Sequence, residues 1–339
     1  MKFTRKIQLI SLLLVISLLL AACAGEKEQE SKENPEQKKV KLMLDWVPNT
    51  NHTGLYVAQE KGYFADEGLD VEIATPAETT ANQLVGAGKA DFGISSQEYV
   101  TQARAEGVPI VSVAAILQHN TSGFMAPKNK GIKKPKDFID KTYGGWGTPI
   151  ENAFIRTVLK MDGVQVEKVE DKVNIVNMGE ADFFTATKRN VDFSWVYYGW
   201  TGVEAELRDV SVDFLELREL DPVLDFYTPT LITNETLIKE DPKTVRKLVK
   251  AVSRGYQYAI KHPKESADIL LKAAPETDKK LAHASQKWIS KQYQADADRW
   301  GEQKKKTWID FTDWMFQHKL IKKKIDPNQS FTNEFLPEK

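Results

Sequence analysis

The sequence predicts an α/β protein built as two units, each a mostly parallel sheet flanked by helices, with a helical tail after them. Three observations carry that expectation. From Val40 onward short apolar runs alternate with helical stretches, a rhythm that puts helices on both faces of a sheet. The rhythm ends in an apolar run at residues 109–117 and restarts at Gly123. After Asn234 the strands give way to helical periodicity.

Residues 40–46 (VKLMLDW) read as the first strand and 53–61 as a helix, with Gly62 placed as its C-terminal stop. Strands at 70–75 and 91–95 follow, with a helix at 79–87 between them and another running to Ala105. In the second unit 123–127, 142–146, 173–176, 191–197 and 212–217 read as strands, and 134–139, 150–161 and 181–188 as helices. A return strand at 227–233 precedes helices at 242–261, 264–273, 279–293 and 304–318. The tail is expected to pack back on the first unit.

The N-terminus reads as an export signal. Lys2, Arg5 and Lys6 form a positive start, and residues 7–20 are apolar apart from Gln8, Ser11 and Ser17, too short for a span of about 20 residues. Leu20-Ala21-Ala22-Cys23 resembles the lipobox of bacterial lipoproteins, which implies cleavage before Cys23 and a diacylglycerol thioether on its sulfur. Residues 24–39 mix charges and hold no large apolar side chain, so a disordered tether is expected.

Composition excludes several classes. Cys23 is the only cysteine, so no intrachain disulfide and no CxxC metal framework exist. The formal net charge is −1 and the charges are interspersed, which argues against nucleic acid as a partner. Histidine is scarce, and neither HExxH nor GxSxG occurs, so no catalytic constellation or metal set stands out. No cofactor is expected.

Three loops could hold a ligand. The first, Asp45-Trp46-Val47-Pro48-Asn49-Thr50-Asn51-His52, follows the first strand, at the carboxyl edge where open α/β sheets bind ligands. Trp46 offers an aromatic face, and Asp45, Asn49 and His52 offer directional polar groups. Without Lys or Arg, the loop suits a small planar heterocycle better than a phosphate. Trp46 could equally be core, and His52 a helix cap. The second loop is Tyr143-Gly144-Gly145-Trp146-Gly147-Thr148-Pro149-Ile150-Glu151. Its glycines let backbone approach a ligand. Thr148, Pro149 and Glu151 stand at the N-cap, N1 and N3 spacing of a capping box, so Glu151 could serve the helix, the ligand or both. The third is Trp195-Val196-Tyr197-Tyr198-Gly199-Trp200. Alternation sends Trp195 and Tyr197 to one face and Val196 and Tyr198 to the other. Trp308, Phe311 and Met315 follow helical spacing and read as core.

LDWVPNTNHTGLYVAQEKGYFADEGLDV, GAGKADFGISS and GGWGTPIE, together with the lipobox, resemble substrate-binding proteins of ABC importers, in particular the pyrimidine-binding members of thiamine-precursor salvage. The resemblance runs from Val40 to about Pro337. It implies a two-lobed type II periplasmic-binding fold with crossovers near Gly123 and Asp225, and lobes that close on the ligand. It also implies a domain plan: 1–22 signal peptide, 23–39 lipidated Cys and tether, 40–123 with 226–339 the first lobe, 124–225 the second. A pyrimidine ligand such as formylaminopyrimidine, permease and ATPase partners, contact with the membrane through the lipid alone, and a monomer follow from it. Trp46, Trp195 and Tyr198 would wall the ring, with Trp146 and Tyr197 nearby. Asp45, Asn49, Ser96 and Glu151 would bond its nitrogens, and His52 would orient the loop. Trp46→Ala and Glu151→Ala are expected to weaken binding without unfolding.

Eukaryotic pyrimidine synthases share that fold, so the resemblance also offers an enzyme reading. Their cofactor-holding Lys and their His correspond here to Ser95 and Tyr99. Their Cys-rich iron segment corresponds to Leu224-Asp225-Phe226-Tyr227-Thr228, which has no Cys. Another importer ligand, such as an alkylsulfonate, nitrate or riboflavin, is the remaining alternative.

Overall fold

The computed structural model describes residues 37–76, 79–179 and 181–338. The expected signal peptide, Cys23 and nearly all of the tether lie outside these residues. The first strand begins at Lys38, two residues before the expected start at Val40: Lys38 and Lys39 pair with Leu69 and Asp70 through their backbones while staying exposed. Backbone pairing at a strand end needs no apolar side chain, so the sequence pattern misses it.

In chain order the first part holds β1 (Lys38–Met43), α1 (Thr53–Glu60), α2 (Tyr63–Asp66), β2 (Leu69–Ala74), α3 (Ala81–Gly86), β3 (Phe92–Ser95), α4 (Gln97–Ala105) and β4 (Ile110–Ala115). The second holds β5 (Ser122–Pro127), β6 (Thr142–Gly145), α5 (Pro149–Met161), β7 (Asn174–Asn177), α6 (Phe183–Thr187), β8 (Phe193–Tyr197), α7 (Val203–Leu207), β9 (Val212–Glu216) and α8 (Leu217–Leu220). The chain then returns in β10 (Thr230–Asn234) and ends in α9 (Glu235–Glu240), α10 (Pro242–Lys261), α11 (Pro263–Ala273), α12 (Lys279–Ile289) and α13 (Lys305–Gln317). The helix expected at 134–139 is one 3₁₀ turn, Pro135–Phe138. A π-helical segment, Tyr198–Gly202, sits where the aromatic run was read as continuing a strand edge.

Two five-stranded sheets result, in the orders β2-β1-β3-β10-β4 and β7-β6-β8-β5-β9. Each is mostly parallel, as the pattern predicts, with one reversed strand that makes it mixed. β1 runs parallel to β2 and β3, and β6 parallel to β7 and β8, as the βαβ rhythm requires. β10 and β5 run antiparallel to their neighbours. The reason is where each enters. Thr230 starts β10 opposite Ser95 and Ala115, the last residues of β3 and β4, and Ser122 starts β5 opposite Tyr197, the last residue of β8. A strand arriving from the other sheet therefore enters at the carboxyl edge and must run backwards. Both crossovers thereby lie at the carboxyl edges of the two sheets, the place where α/β folds hold ligands.

The first core joins Leu42, Phe92, Ile94 and Val113 to tail residues Val249, Val252, Tyr256 and Trp300. Tyr256 and Trp300 stack with centroids 4.7 Å apart. α10 lies so close on α1 that a Cβ on Gly255 would stand 2.0 Å from the Gly54 carbonyl oxygen. The tail packs on the first lobe as the pattern suggested, and it also reaches the second. Phe311, Trp314 and Met315 of α13 belong to the second core, with Phe154, Phe193 and Phe226. Phe311 stacks on Phe226 at 4.4 Å, and the Trp314 indole N–H donates to Thr157 Oγ1 at 3.0 Å. Of the three residues whose helical spacing marked them as core, Phe311 and Met315 thus belong to the second lobe, while Trp308 packs with Met43, Val85 and Ile110 of the first.

Candidate ligand-binding cleft

The loop after β1 is built by its own side chains. Asn49 caps a 3₁₀ turn, Thr50–His52: its Oδ1 accepts the Asn51 N–H at 2.9 Å, and its Nδ2 donates to the Val47 carbonyl at 3.0 Å. Nδ1 of the buried His52 accepts the Asn49 N–H at 3.2 Å. A neutral imidazole that accepts at Nδ1 carries its proton on Nε2, so Nε2–H donates to Asp45 Oδ1, 2.7 Å away. The tail supports the loop from beneath. The Tyr256 hydroxyl donates to the Asn51 carbonyl at 2.6 Å, and Thr50 Oγ1 meets Ser285 Oγ at 2.6 Å. Ser285 in turn donates to the Gly199 carbonyl of the second lobe. Asp45 and Trp46 are thus held on a rigid turn while Trp46 keeps 68% of its surface exposed.

The strand β3 leads into α4, with Ser96 at its N-cap. Gln97 is wholly buried and clamps the second crossover: its N–H donates to the Tyr227 carbonyl at 2.8 Å, its Oε1 accepts the Tyr227 N–H at 2.9 Å, and its Nε2 donates to the Thr307 carbonyl at 3.2 Å. The next residue, Glu98, is buried, and neither its Oε2 nor Ser96 Oγ has a hydrogen-bond partner. Burial pushes the Glu98 carboxyl up to about 7; its own backbone N–H opposes this, as does the Ser96 hydroxyl, which lies nearby without reaching hydrogen-bond geometry, and Asp45 adds to it. Tyr99, 51% exposed, has its phenol raised by desolvation and then by Glu98, Glu151 and Asp45. These couplings bring the β1 loop, the start of α4 and the second-lobe loop into one site.

In the second lobe Glu151 is buried, and both its oxygens are occupied. Oε1 accepts the Trp146 N–H and Oε2 the Gly147 N–H, each at 3.1 Å. Gly145 has no room for a side chain, since a Cβ there would stand 2.4 Å from Glu151 Oε2, and Gly147 turns the chain at φ +78°. Thr148 is the N-cap with Pro149 at N1, but its side chain makes no capping bond. The capping box therefore does not form; the carboxylate closes the glycine turn one step earlier and fixes Trp146 at the surface, 48% exposed. Both oxygens of Glu151 serve the turn, so loss of the carboxylate would cost stability.

Trp146 meets Trp195 edge-on at 6.2 Å, and Trp195 meets Tyr197 at 5.7 Å. Trp195 is nearly buried, packed on Phe154 at 5.2 Å, with its indole N–H unpartnered. The Tyr197 phenol is raised, mainly by burial and then by Glu98, with Asp45 and Tyr99 also contributing. Tyr198 belongs elsewhere. It points to the opposite face, against Phe214 at 5.0 Å and Trp288 at 5.3 Å, and its hydroxyl donates to Glu206. As the first residue of the π-helical turn after β8 it packs on Phe214 and Trp288 instead of the ring wall.

The residues brought together are Asp45, Ser96, Trp146, Trp195 and Tyr197, with His52, Asn49 and Glu151 as their supports and Trp46 exposed beside Asp45 in the chain. Sequence reasoning missed Glu98 and Tyr99 as site residues. An acidic residue in a first helical turn ordinarily reads as a partner of the helix dipole, and only its burial beside Asp45 sets it apart. A wider surface groove between α1 and α11, lined by Tyr56, Gln59, Glu60 and Lys272, contains none of these residues, and its Glu60–Lys272 pair is already formed.

The NMT1/THI5-like family pattern matches residues 49–266, more than half of the sequence. The chain belongs to that family. Its relatives include the formylaminopyrimidine-binding protein of Halalkalibacterium halodurans, 27% identical over 97% of this chain and 99% of that one. A 4-amino-5-hydroxymethyl-2-methylpyrimidine phosphate synthase of Legionella pneumophila is 24% identical over 89% of this chain and 93% of its own length. Among solved structures, the periplasmic aliphatic sulphonate-binding protein of Escherichia coli superposes with a TM-score of 0.69 at 12% identity, covering 89% of this chain and 94% of that one. The fold is thus the two-lobed periplasmic-binding fold; the family contains both binding proteins and synthases.

Proposed function

We propose that this chain is an extracytoplasmic, lipid-anchored solute-binding protein that captures a thiamine-precursor pyrimidine, formylaminopyrimidine, between its lobes and delivers it to the permease and ATPase of an ABC importer. The observation that carries the reading is the chemistry of the cleft. The rings of Trp46, Tyr99 and Trp146 are exposed, the acids Asp45 and Glu98 are coupled to each other and to Tyr99 and Tyr197, and no cation is among the groups that shift Glu98, Tyr99 or Tyr197. Stacking rings select a flat heterocycle, and carboxylates select its N–H edge. An alkylsulfonate or nitrate would meet repulsion there. Kinship with a formylaminopyrimidine-binding protein over nearly the whole chain supports the same ligand.

Binding rather than synthesis is favoured by Ser95 and Tyr99, which stand where the resemblance to the synthases calls for a cofactor-holding Lys and a His. The test is a thermal-shift comparison of formylaminopyrimidine with hydroxymethylpyrimidine, riboflavin and an alkylsulfonate. A ligand at 100 times its Kd stabilises by about 2.7 kcal/mol. A shift with formylaminopyrimidine, abolished by Trp46→Ala at unchanged apo stability, is expected. A shift with the alkylsulfonate alone would overturn the pyrimidine assignment.

A further inference from the structure

Resting on that reading, the inference concerns which residue makes the cleft specific. Glu98 is only 4% exposed, yet one carboxyl oxygen has no protein partner. Such a group is costly to bury and is retained where something else completes it. Gln97 fixes the backbone from which Glu98 projects, because it ties the start of α4 to the crossover. The other titratable groups around it are Asp45, backed by His52, together with Tyr99 and Tyr197; Glu151 reaches the same site through Tyr99.

We propose that Glu98 is the specificity-determining residue of the cleft: its carboxyl pairs with the amidine edge of an aminopyrimidine, with a single proton held between Oε2 and the ring nitrogen. The exocyclic amine donates to the carboxyl's other oxygen. The pair needs one proton in total. A pyrimidine lacking the ring amine, or a phosphorylated one that adds negative charge beside three carboxylates, is rejected.

The pair has a signature in pH. In the empty cleft Glu98 gives up its proton near pH 7. Above that, carboxylate and ring nitrogen are both acceptors, and the complex forms only by taking a proton from solvent. The Kd then rises by up to about tenfold per pH unit. Tyr99 and Tyr197 are both raised above the ordinary phenol and stay protonated through this window.

The experiment is calorimetric titration of the chain with formylaminopyrimidine between pH 7 and 9, for wild type and Glu98→Gln. Wild type is expected to weaken along that slope. Glu98→Gln, whose amide offers the same donor and acceptor at every pH, is expected to bind within about tenfold of wild type at pH 7 and to show no slope. Uptake of close to one proton by wild type at pH 8, read from the dependence of the heat on buffer ionisation, is a second measurement that needs no variant. Equal slopes in the two proteins, or no proton uptake, overturn the role of Glu98 and leave the pyrimidine reading standing. No binding of formylaminopyrimidine to wild type overturns both.

Discussion

Replacing Glu151 with Ala tests the glycine turn and the site together. The carboxylate is 1% exposed and accepts the N–H groups of Trp146 and Gly147, each at 3.1 Å. Bonds to a charged acceptor contribute about 1.5–3 kcal/mol apiece. Truncation opens a space that water can enter from the exposed Trp146 side, so the lower end applies, about 2–3 kcal/mol in total. At roughly 2–4 °C per kcal/mol, the melting temperature should fall by about 4–12 °C. Glu151→Gln should recover little, because its amide nitrogen faces one of the two donors. The assays are thermal melting and quenching of tryptophan fluorescence by ligand, which should be lost as Trp146 leaves its fixed position. Melting of Glu151→Ala within about 1 °C of wild type would refute the assignment of Glu151 as the clasp of this turn.

Two further predictions concern the frame. Gly255→Ala puts a Cβ 2.0 Å from the Gly54 carbonyl, a backbone atom that cannot step aside, so α1 and α10 must separate; a loss of about 1–3 kcal/mol is expected by denaturant titration, and an unchanged midpoint would show that the two helices do not pack this closely. His119 lies between Asp225 at 2.7 Å and Asp296 at 2.8 Å, with Lys304 behind Asp296, and its pKa is raised mainly by the Asp225 bond. A raised histidine stabilises fully below its unfolded value and loses that contribution as pH rises through the folded one; the deficit in melting temperature of His119→Gln should therefore be larger at pH 6 than at pH 9, and a pH-independent deficit would deny the pairing.

The fold was legible because hydrophobic alternation is a local signal. Runs such as VKLMLDW and DFGIS, both in the first sheet, give strands whatever happens elsewhere. The direction of β5 and β10 was not legible, since it depends on which edge of which sheet the chain enters. The loop of Asp45, Trp46 and His52 could be singled out because polar and aromatic residues at a strand's carboxyl edge have few structural uses. Tyr198 was misplaced and Glu98 overlooked for one reason. Whether a side chain faces the cleft or a neighbouring helix is decided by packing between lobes, and no short window of sequence contains it. Tyr198 finds Phe214 and Trp288, the latter 90 residues on.

The reach of α13 into the second lobe has a consequence for biosynthesis. Phe311, Trp314 and Met315 complete a core whose other members mostly lie between Phe124 and Phe226, and Phe335 and Leu336 complete the first. A polypeptide emerging from its N-terminus cannot close either core until its last residues are made. Final packing of both lobes is thereby deferred until late in synthesis.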